Sequence, residues 1–521
     1  MPGKARGNTL LTRRHFLARS ARGAALAGLG SIASPYLSFA ASRPILTHGL
    51  QSGDVADNSG IVWARADRAS RLLIEASSTE SFNDICCTTF ADALPGSDFT
   101  AKVLLEDLPA GQEVFYRVTP HDLASSSLRG ETQTGRFRTA PSDTRPVSFV
   151  WSGDVAGQGW GIDEARRGMR AFRTMLNNRP DFFIHSGDSI YADCPIEREL
   201  KLPGGGIWRN LVTEDKAGVA QTIQQFRGNY KYNLLDTNVR AFNAEVPILA
   251  QWDDHEVTND WWPERTIDEQ GYTERSALQL CARASRAFHE YMPTRQTSAE
   301  PGRVYRKIAY GPMLDVFLID MRSYRGPNDA AETPFLGAKQ LAWLKRELVA
   351  SRATWKVIAA DLPIGLVSQD AIARGDGPPA GREVEIAGLL SFIKRNGVKN
   401  IVWLTTDMHY TAAHYYSPNR AVFQDFDPFW EFVSGPLHAG TWGPAPLDNT
   451  FGPEVRYQNG CTEEQGENLA PCFGLQFFGR VDIERDGVMT VTLKDVGDQD
   501  LWSVPIDPEP TLPVRFAQRR D

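Results

Sequence analysis

The chain has 521 residues, a formal net charge of −8 and an apolar fraction of 42%. That length exceeds one ordinary core and predicts two domains plus extensions. The acidic balance excludes a general nucleic-acid binder, which needs a basic face, and the only long apolar run belongs to a targeting-type segment, so no stable membrane span is expected in the mature chain.

That segment comes first. Thr12-Arg13-Arg14-His15-Phe16-Leu17 matches the twin-arginine export pattern, a Gly- and Ala-rich apolar stretch follows over 23–37, and Ser38-Phe39-Ala40 reads as a small-x-small cleavage site. Residues 1–40 are expected to be a signal peptide read by the twin-arginine machinery, with a periplasmic or secreted destination. Such cargo folds before export, which suits a metal centre loaded in the cytoplasm. Among six cysteines, Cys461 and Cys472 lie in a polar loop where a disulfide would suit an oxidising compartment. Adjacent Cys86 and Cys87 cannot easily bond to each other, Cys194 and Cys281 read as buried thiols, and no C-x-x-C pair suggests a zinc ribbon.

Over 43–141 the pattern is short strands and turns. Residues 60–65, 71–76, 101–105 and 114–118 alternate, and no helical stripe interrupts them. A small all-β sandwich of the immunoglobulin or fibronectin III kind is expected, joined by Ala140-Pro141-Ser142-Asp143 to a second domain over 145–505. There strands (147–151, 181–184, 246–250, 314–319, 355–360, 400–404) alternate with helical stretches (163–176, 274–289, 337–349), which predicts a layered α/β core. A hairpin is expected from 476–483 and 489–493, and an irregular tail over 506–521.

The second domain's strands share one feature: they end on aspartate. Asp154, Asp188, Asp253-Asp254-His255, Asp320, Asp361 and Asp407-Met408-His409 each follow an apolar run. One such aspartate is ordinarily a turn former or helix cap. Six in the same register would converge at the carboxyl edge of an α/β sheet, where ligands bind. Carboxylates so gathered repel one another unless cations sit among them. Oxygen-rich ligands favour hard cations, and histidine admits iron, manganese or zinc. Two metals could deprotonate a shared water and aim it at phosphorus, and His255, between Asp254 and Glu256, is the candidate to protonate the leaving oxygen.

These segments also carry a resemblance. Gly187-Asp188, Trp252-Asp253-Asp254-His255-Glu256 and Asp407-Met408-His409 resemble the motifs of calcineurin-like metallophosphoesterases. Gly187-Asp188-Ser189-Ile190-Tyr191, the extension to Val257, and the stretch from Leu46 to Asp54 resemble the PhoD-like alkaline phosphatase family in particular. The resemblance implies a layered metallophosphoesterase sandwich flanked by helices, and hydrolysis of phosphate monoesters or diesters by attack of metal-bound hydroxide. It implies iron(III) and calcium as cofactors. Asp188 would bridge the metals, Tyr191 would be a phenolate ligand to iron, and Asp254, Asp407 and His409 would complete the metal shell. His255 would be catalytic, and Asn259 would lie near the metals or the phosphate. Arg322, in Asp320-Met321-Arg322-Ser323-Tyr324-Arg325, would clamp phosphate or pair with Asp320. Many family members carry Ser-Cys-Gln after the first strand, with the cysteine on iron. Here the place reads Ser152-Gly153-Asp154, so Asp154 is the candidate replacement. Asp361 is a further candidate ligand, and His438 and His414 are candidates to line the pocket. Trp160, Trp261, Trp262 and Trp442 would rim a groove or pack in the core.

Three other readings compete, the first within the same class. A phosphodiesterase or phospholipase acting on lipid or wall polymer would use the same ligands with a longer groove. A non-catalytic binding protein would be expected to have lost part of the set. A serine nucleophile needs a G-x-S-x-G elbow, and the chain has none.

Overall fold

The computed structural model describes residues 43–510 apart from 299, 329–332 and 369. The expected signal peptide, and most of the expected tail, lie outside the described residues.

The first seven strands are β1 (Leu46–Gly53), β2 (Gly60–Ala66), β3 (Ser70–Ser77), β4 (Ile85–Ala93), β5 (Thr100–Leu105), β6 (Glu113–Asp122) and β7 (Gln133–Arg138). Alternation is clear in β3 and β6, which bury Leu72, Ile74, Ala76, Val114, Tyr116 and Val118 and turn the intervening residues outward. β4, β3, β6 and β7 form an antiparallel sheet. The facing sheet is shared. β1 runs parallel to β12 (Ile248–Gln251) with Gly53 opposite Ile248, so β1, β2 and β5 become the far end of a nine-stranded sheet.

The other strands are β8 (Val147–Ser152), β9 (Phe182–Ser186), β10 (Glu199–Lys201), β11 (Ile207–Arg209), β13 (Arg306–Ala309), β14 (Leu314–Leu318), β15 (Trp355–Ala359), β16 (Ile401–Thr405), β17 (Thr411–Tyr416), β18 (Phe429–Val433), β19 (Pro453–Asn459), β20 (Phe477–Ile483), β21 (Met489–Asp495) and β22 (Asp500–Ile506). The nine-stranded sheet runs β22-β21-β20-β8-β9-β12-β1-β2-β5, and a seven-stranded sheet runs β13-β14-β15-β16-β18-β17-β19. Their inner faces make one core, in which Phe149, Trp151, Ile184 and Leu249 meet Val316, Val357, Leu404 and Phe432. These are near-continuous apolar runs because both faces of each central strand are covered. Helices α1 (Arg170–Asn177), α2 (Ile223–Asn233), α3 (Thr237–Glu245) and α4 (Ala277–Tyr291) cover the outer face of the larger sheet. Helices α5 (Ala338–Ala350) and α6 (Glu383–Arg395) cover the smaller. The expected layered α/β sandwich is the architecture found.

Some local expectations are corrected. A single helix over 163–176 is interrupted: Asp163 caps a short 3-10 turn, Arg167 and Gly168 then take left-handed φ of 71° and 59°, and α1 starts only at Arg170. The helix expected from 274 starts at Ala277, where the Ser276 side chain accepts from the Gln279 N–H. The hairpin of β20 and β21 forms as expected, but β22 adds a third strand reaching Ile506, where an irregular tail was expected to begin. Cys461 and Cys472 form no disulfide: all six cysteines are free thiols, and Cys461 is buried with its Sγ 3.1 Å from the Thr441 carbonyl.

Candidate metal centre

β8, β9 and β12 are mutually parallel, as are β14, β15, β16 and β18. Their carboxyl ends meet at one edge of the sandwich, and the turns there are unusual. Asp154, Asp188, Asp407 and His409 hold φ of 65°, 50°, 66° and 55°, a region that L-residues other than glycine seldom occupy. Gly187 allows one such turn: at φ +105°, an added Cβ would lie 2.5 Å from the Asp253 Cβ.

Glu256 ties two of these ends together. Fully buried, it accepts from the Asp188 N–H (3.2 Å), the Ser189 N–H (2.7 Å) and hydroxyl (2.6 Å), and the Asp253 N–H (2.9 Å). The His255 N–H donates to Asp188 Oδ1 at 3.1 Å. The strand ends are thereby fixed relative to each other before any ligand is considered.

The side chains converge as overlapping sets. Ligand atoms of Asp154, Asp188 and His409 lie within 4.8 Å of one another, as do those of Asp188, Asp254 and His255, and those of Asp253, Asp254 and Asp407. Both oxygens of Asp154 and of Asp361, and one each of Asp253 and Asp254, are buried without a hydrogen-bond partner. Buried carboxylate oxygens left unpaired are costly. Cations are the groups that would satisfy them, so the residues present fit a centre of hard metal ions. Tyr191 closes one flank, with its hydroxyl 2.8 Å from His409 Nε2 and its ring stacked on His255 at 4.2 Å between centroids. His409 Nδ1 faces the Gly440 carbonyl at 2.5 Å, which directs Nε2 toward Asp154 at 3.5 Å.

The sequence profile described as PhoD-like phosphatase matches residues 149–493, and that described as PhoD-like phosphatase, N-terminal domain, matches 31–141. The chain belongs to the PhoD-like phosphatase family. A relative, alkaline phosphatase D of Bacillus subtilis (strain 168), is 28% identical over 403 residues, 70% of this chain. The match spans 64% of that relative's length. In fold, the chain is similar to a solved structure of PhoD (TM-score 0.67, 20% identity, 89% of this chain and 90% of that one). It is also similar to purple acid phosphatase PPD1 from yellow lupin seeds (TM-score 0.55, 11% identity, 91% and 78%).

Within this PhoD-like centre, crowding sets the charges. Burial first, then mutual repulsion, raises the carboxyl groups of Asp154 and Asp188 well above the usual range, and burial with the Asp253 charge does the same to Asp361 and Asp407. Burial alone would lower His255, but Asp193 and Asp254 outweigh it and lift the imidazole to about 10. Burial lowers His409 to about 4, so its imidazole is neutral near neutral pH. Raised carboxyl groups bind protons in the folded state that the unfolded chain has released, so stability falls as pH rises through that window. The histidines that burial lowers, His409 among them, act in the opposite sense up to their unfolded value of about 6.5, so the fall is read above it: protein stripped by a chelator is expected to melt lower at pH about 8 than at pH about 7. A scanning calorimetry Tm that is flat or rising across this range would contradict it.

Sequence reasoning missed Asp193. Its Oδ1 accepts from His255 Nδ1 at 2.7 Å and its Oδ2 accepts the Asn259 N–H at 2.7 Å, although it stands 62 residues before His255. Cys194, expected as a plain buried thiol, places its Sγ within 4.8 Å of ligand atoms of Asp193 and His255, and burial raises its pKa. Asp370 was missed as well. It bonds to Arg322 and Arg325, its carbonyl accepts from Arg382, and ligand atoms of Asp254, Asp260 and Asp370 fall within 4.8 Å.

Several expected residues make contacts other than those the sequence suggested. Arg322 is fully buried and does not pair with the Asp320 side chain. It bonds Asp253 and Asp370, lies 3.4 Å from Asp361, and approaches Asp254 and Asp407 to 3.9 Å. The Asp320 carboxylate instead accepts from the Arg322 and Ser323 N–H groups, which keeps it out of the ligand sets. Asn259 is exposed. His438 directs Nε2 at the Gly161 carbonyl (2.8 Å), though its backbone bonds Asp154 and Ala156. His414 is buried beside Glu431 at 3.4 Å, inside the smaller sheet. Trp160 and Trp261 are core residues, whereas Trp262 and Trp442 are half-buried.

Proposed function

We propose that this chain is an exported, metal-dependent phosphoesterase that hydrolyses phosphate monoesters or diesters in the manner of alkaline phosphatase D. The observation that carries the reading is the set of buried carboxylate oxygens on Asp154, Asp254 and Asp361 that have no hydrogen-bond partner, beside the His255–Asp193 pair. Asp188 belongs to two of the ligand sets, which suits a carboxylate shared between cations. Asp154, Tyr191, Asp254, Asp407 and His409 would complete the shell, with Asp154 in the place of the family's cysteine. Metal ions held there would supply Lewis acidity and neutralise developing charge. Iron(III) with calcium follows from the family resemblance and from Tyr191.

The chain's own residues then have distinct work. Asp193 accepts the Nδ1 proton of His255, which leaves Nε2 facing the cluster, 3.9 Å from Asp254. Held by Asp193 through Nδ1, the protonated imidazole can deliver a proton from Nε2 to the leaving oxygen. Arg322 acts on phosphate through the carboxylates it orients. Asp193→Asn should therefore lower kcat by about ten- to a hundredfold, less than loss of the histidine itself, with little change in KM. An unchanged kcat would remove Asp193 from the mechanism.

Residues 1–40 would be removed after twin-arginine export, 43–141 would form the N-terminal β unit, and 145–505 would carry the chemistry. The test is cleavage of a chromogenic phosphate monoester and its matched diester at mildly alkaline pH by metal-loaded protein. Turnover of either supports the reading, and the ratio of the two rates separates phosphatase from phosphodiesterase. If neither is cleaved, the chain is a binding protein on a hydrolase body.

A further inference from the structure

A cavity is walled in part by Leu437 and His438, whose backbone N–H groups donate to the Gly153 and Asp154 carbonyls. Its volume is about 380 Å³, enough for a small organic anion. Its rim is basic. Arg166, Arg167 and Arg170 line it, from the 3-10 turn and the start of α1. Arg166 lies 3.3 Å from Asp163 and stacks over Trp208. Arg167 and Arg170 are exposed, and neither guanidinium has a hydrogen-bond or ion-pair partner among the described residues. In a chain of net charge −8, three arginines around one cavity, two of them unneutralised, form a local positive field.

The floor supplies a second, independent feature. Gln476 lines the cavity and is 2% exposed. Its Nε2 donates to the Ala439 carbonyl and the Thr441 hydroxyl, which fixes the amide orientation, and its Oε1 is buried without a partner. An unpaired buried acceptor asks for a donor. A bare oxyanion offers none, whereas a hydroxyl group does. His438 forms another part of the wall, and its backbone N–H donates to the Asp154 carbonyl at 2.9 Å.

We propose that this cavity is a binding site for a small hydroxylated oxyanion, of the phosphate or phosphonate class, separate from the metal centre. The anion meets Arg167 and Arg170 at the rim, and its hydroxyl group donates to Gln476 Oε1 at the floor. The occupant lies against the strand end that carries Asp154. The inference does not depend on the phosphoesterase reading, because none of its anion-holding residues belongs to the metal cluster.

The probe is 2-hydroxyethylphosphonate, which cannot be hydrolysed as an ester, titrated calorimetrically into metal-loaded full-length protein. Ethylphosphonate is the control lacking the hydroxyl group. Two classes of site are expected. One is lost in Asp188→Asn. The other persists in that variant and weakens by about tenfold or more in Arg167→Ser/Arg170→Ser. At this second site the hydroxylated probe binds about fivefold tighter than ethylphosphonate, and Gln476→Leu abolishes that preference. The double arginine variant changes only exposed side chains, so unaltered hydrolysis of a chromogenic ester serves as its folding control. A single class of site, lost entirely in Asp188→Asn, would overturn the proposal. So would a second class that the arginine variant leaves unchanged. Equal affinities for the two phosphonates would remove the hydroxyl-bearing ligand class.

Discussion

Replacing His255 by alanine is expected to lower kcat toward a chromogenic phosphate ester by about 10²- to 10⁴-fold while leaving bound metal nearly intact. The asymmetry follows from the position of the ring. Nδ1 is engaged by Asp193 at 2.7 Å, the ring lies flat against Tyr191, and Nε2 stands 3.9 Å from Asp254, outside ordinary bonding distance. Asp154, Asp188, Asp254, Asp407 and His409 remain to hold cations when the imidazole is gone. A proton donor that acts only as the leaving oxygen departs is missed in the transition state and hardly in the ground state, so KM should change much less than kcat. Metal analysis alongside steady-state kinetics checks both halves. Activity within a few-fold of the parent would exclude His255 as the acid. Loss of metal in proportion to activity would make it a ligand instead.

Asp188→Asn should have the larger effect on composition: loss of most bound metal together with nearly all activity. Asp188 is buried, holds a left-handed backbone, and lies in two overlapping ligand sets, one with Asp154 and His409 and one with Asp254 and His255. An amide keeps the shape and the acceptor from the His255 N–H but removes the charge that a bridging carboxylate supplies. The variant should fold, because Glu256 still fastens the Asp188 and Asp253 strand ends through backbone N–H groups. An unchanged metal inventory, measured by elemental analysis, would remove the bridging role. Asp154→Ala provides a graded comparison, with partial loss of metal expected, since its two unpaired oxygens lie in only one of the sets.

Much of this centre was legible from local pattern. An apolar run that stops at Asp188, Asp254 or Asp407 marks a strand leaving a covered sheet, and the parallel α/β arrangement brings such ends to one edge. What the pattern could not carry was the identity of partners distant along the chain. Asp193 reads as a loop aspartate until folding sets it against His255. Asp370 lies 48 residues from Arg322, in a segment with no periodicity. For Arg322, one of the two readings paired it with nearby Asp320, whereas its carboxylate partners Asp253, Asp361 and Asp370 are distant along the chain. Glu256 was within reach, because it stands inside the Trp252-to-Val257 motif. A carboxylate next to a candidate catalytic histidine invites the question of what it accepts. The sharing of the N-terminal sheet was beyond reach. A single parallel register, Gly53 opposite Ile248, joins β1 to β12 across more than a third of the chain, and nothing in the alternation of β1 encodes it.

The most direct test of metal-dependent ester hydrolysis is a depletion and restoration experiment on the purified protein. Chelation should abolish cleavage of the chromogenic phosphate ester, and iron with calcium should restore it, while Asp188→Asn stays inactive under every metal. Cleavage that survives complete stripping, or that Asp188→Asn retains at the parental rate, would contradict the account.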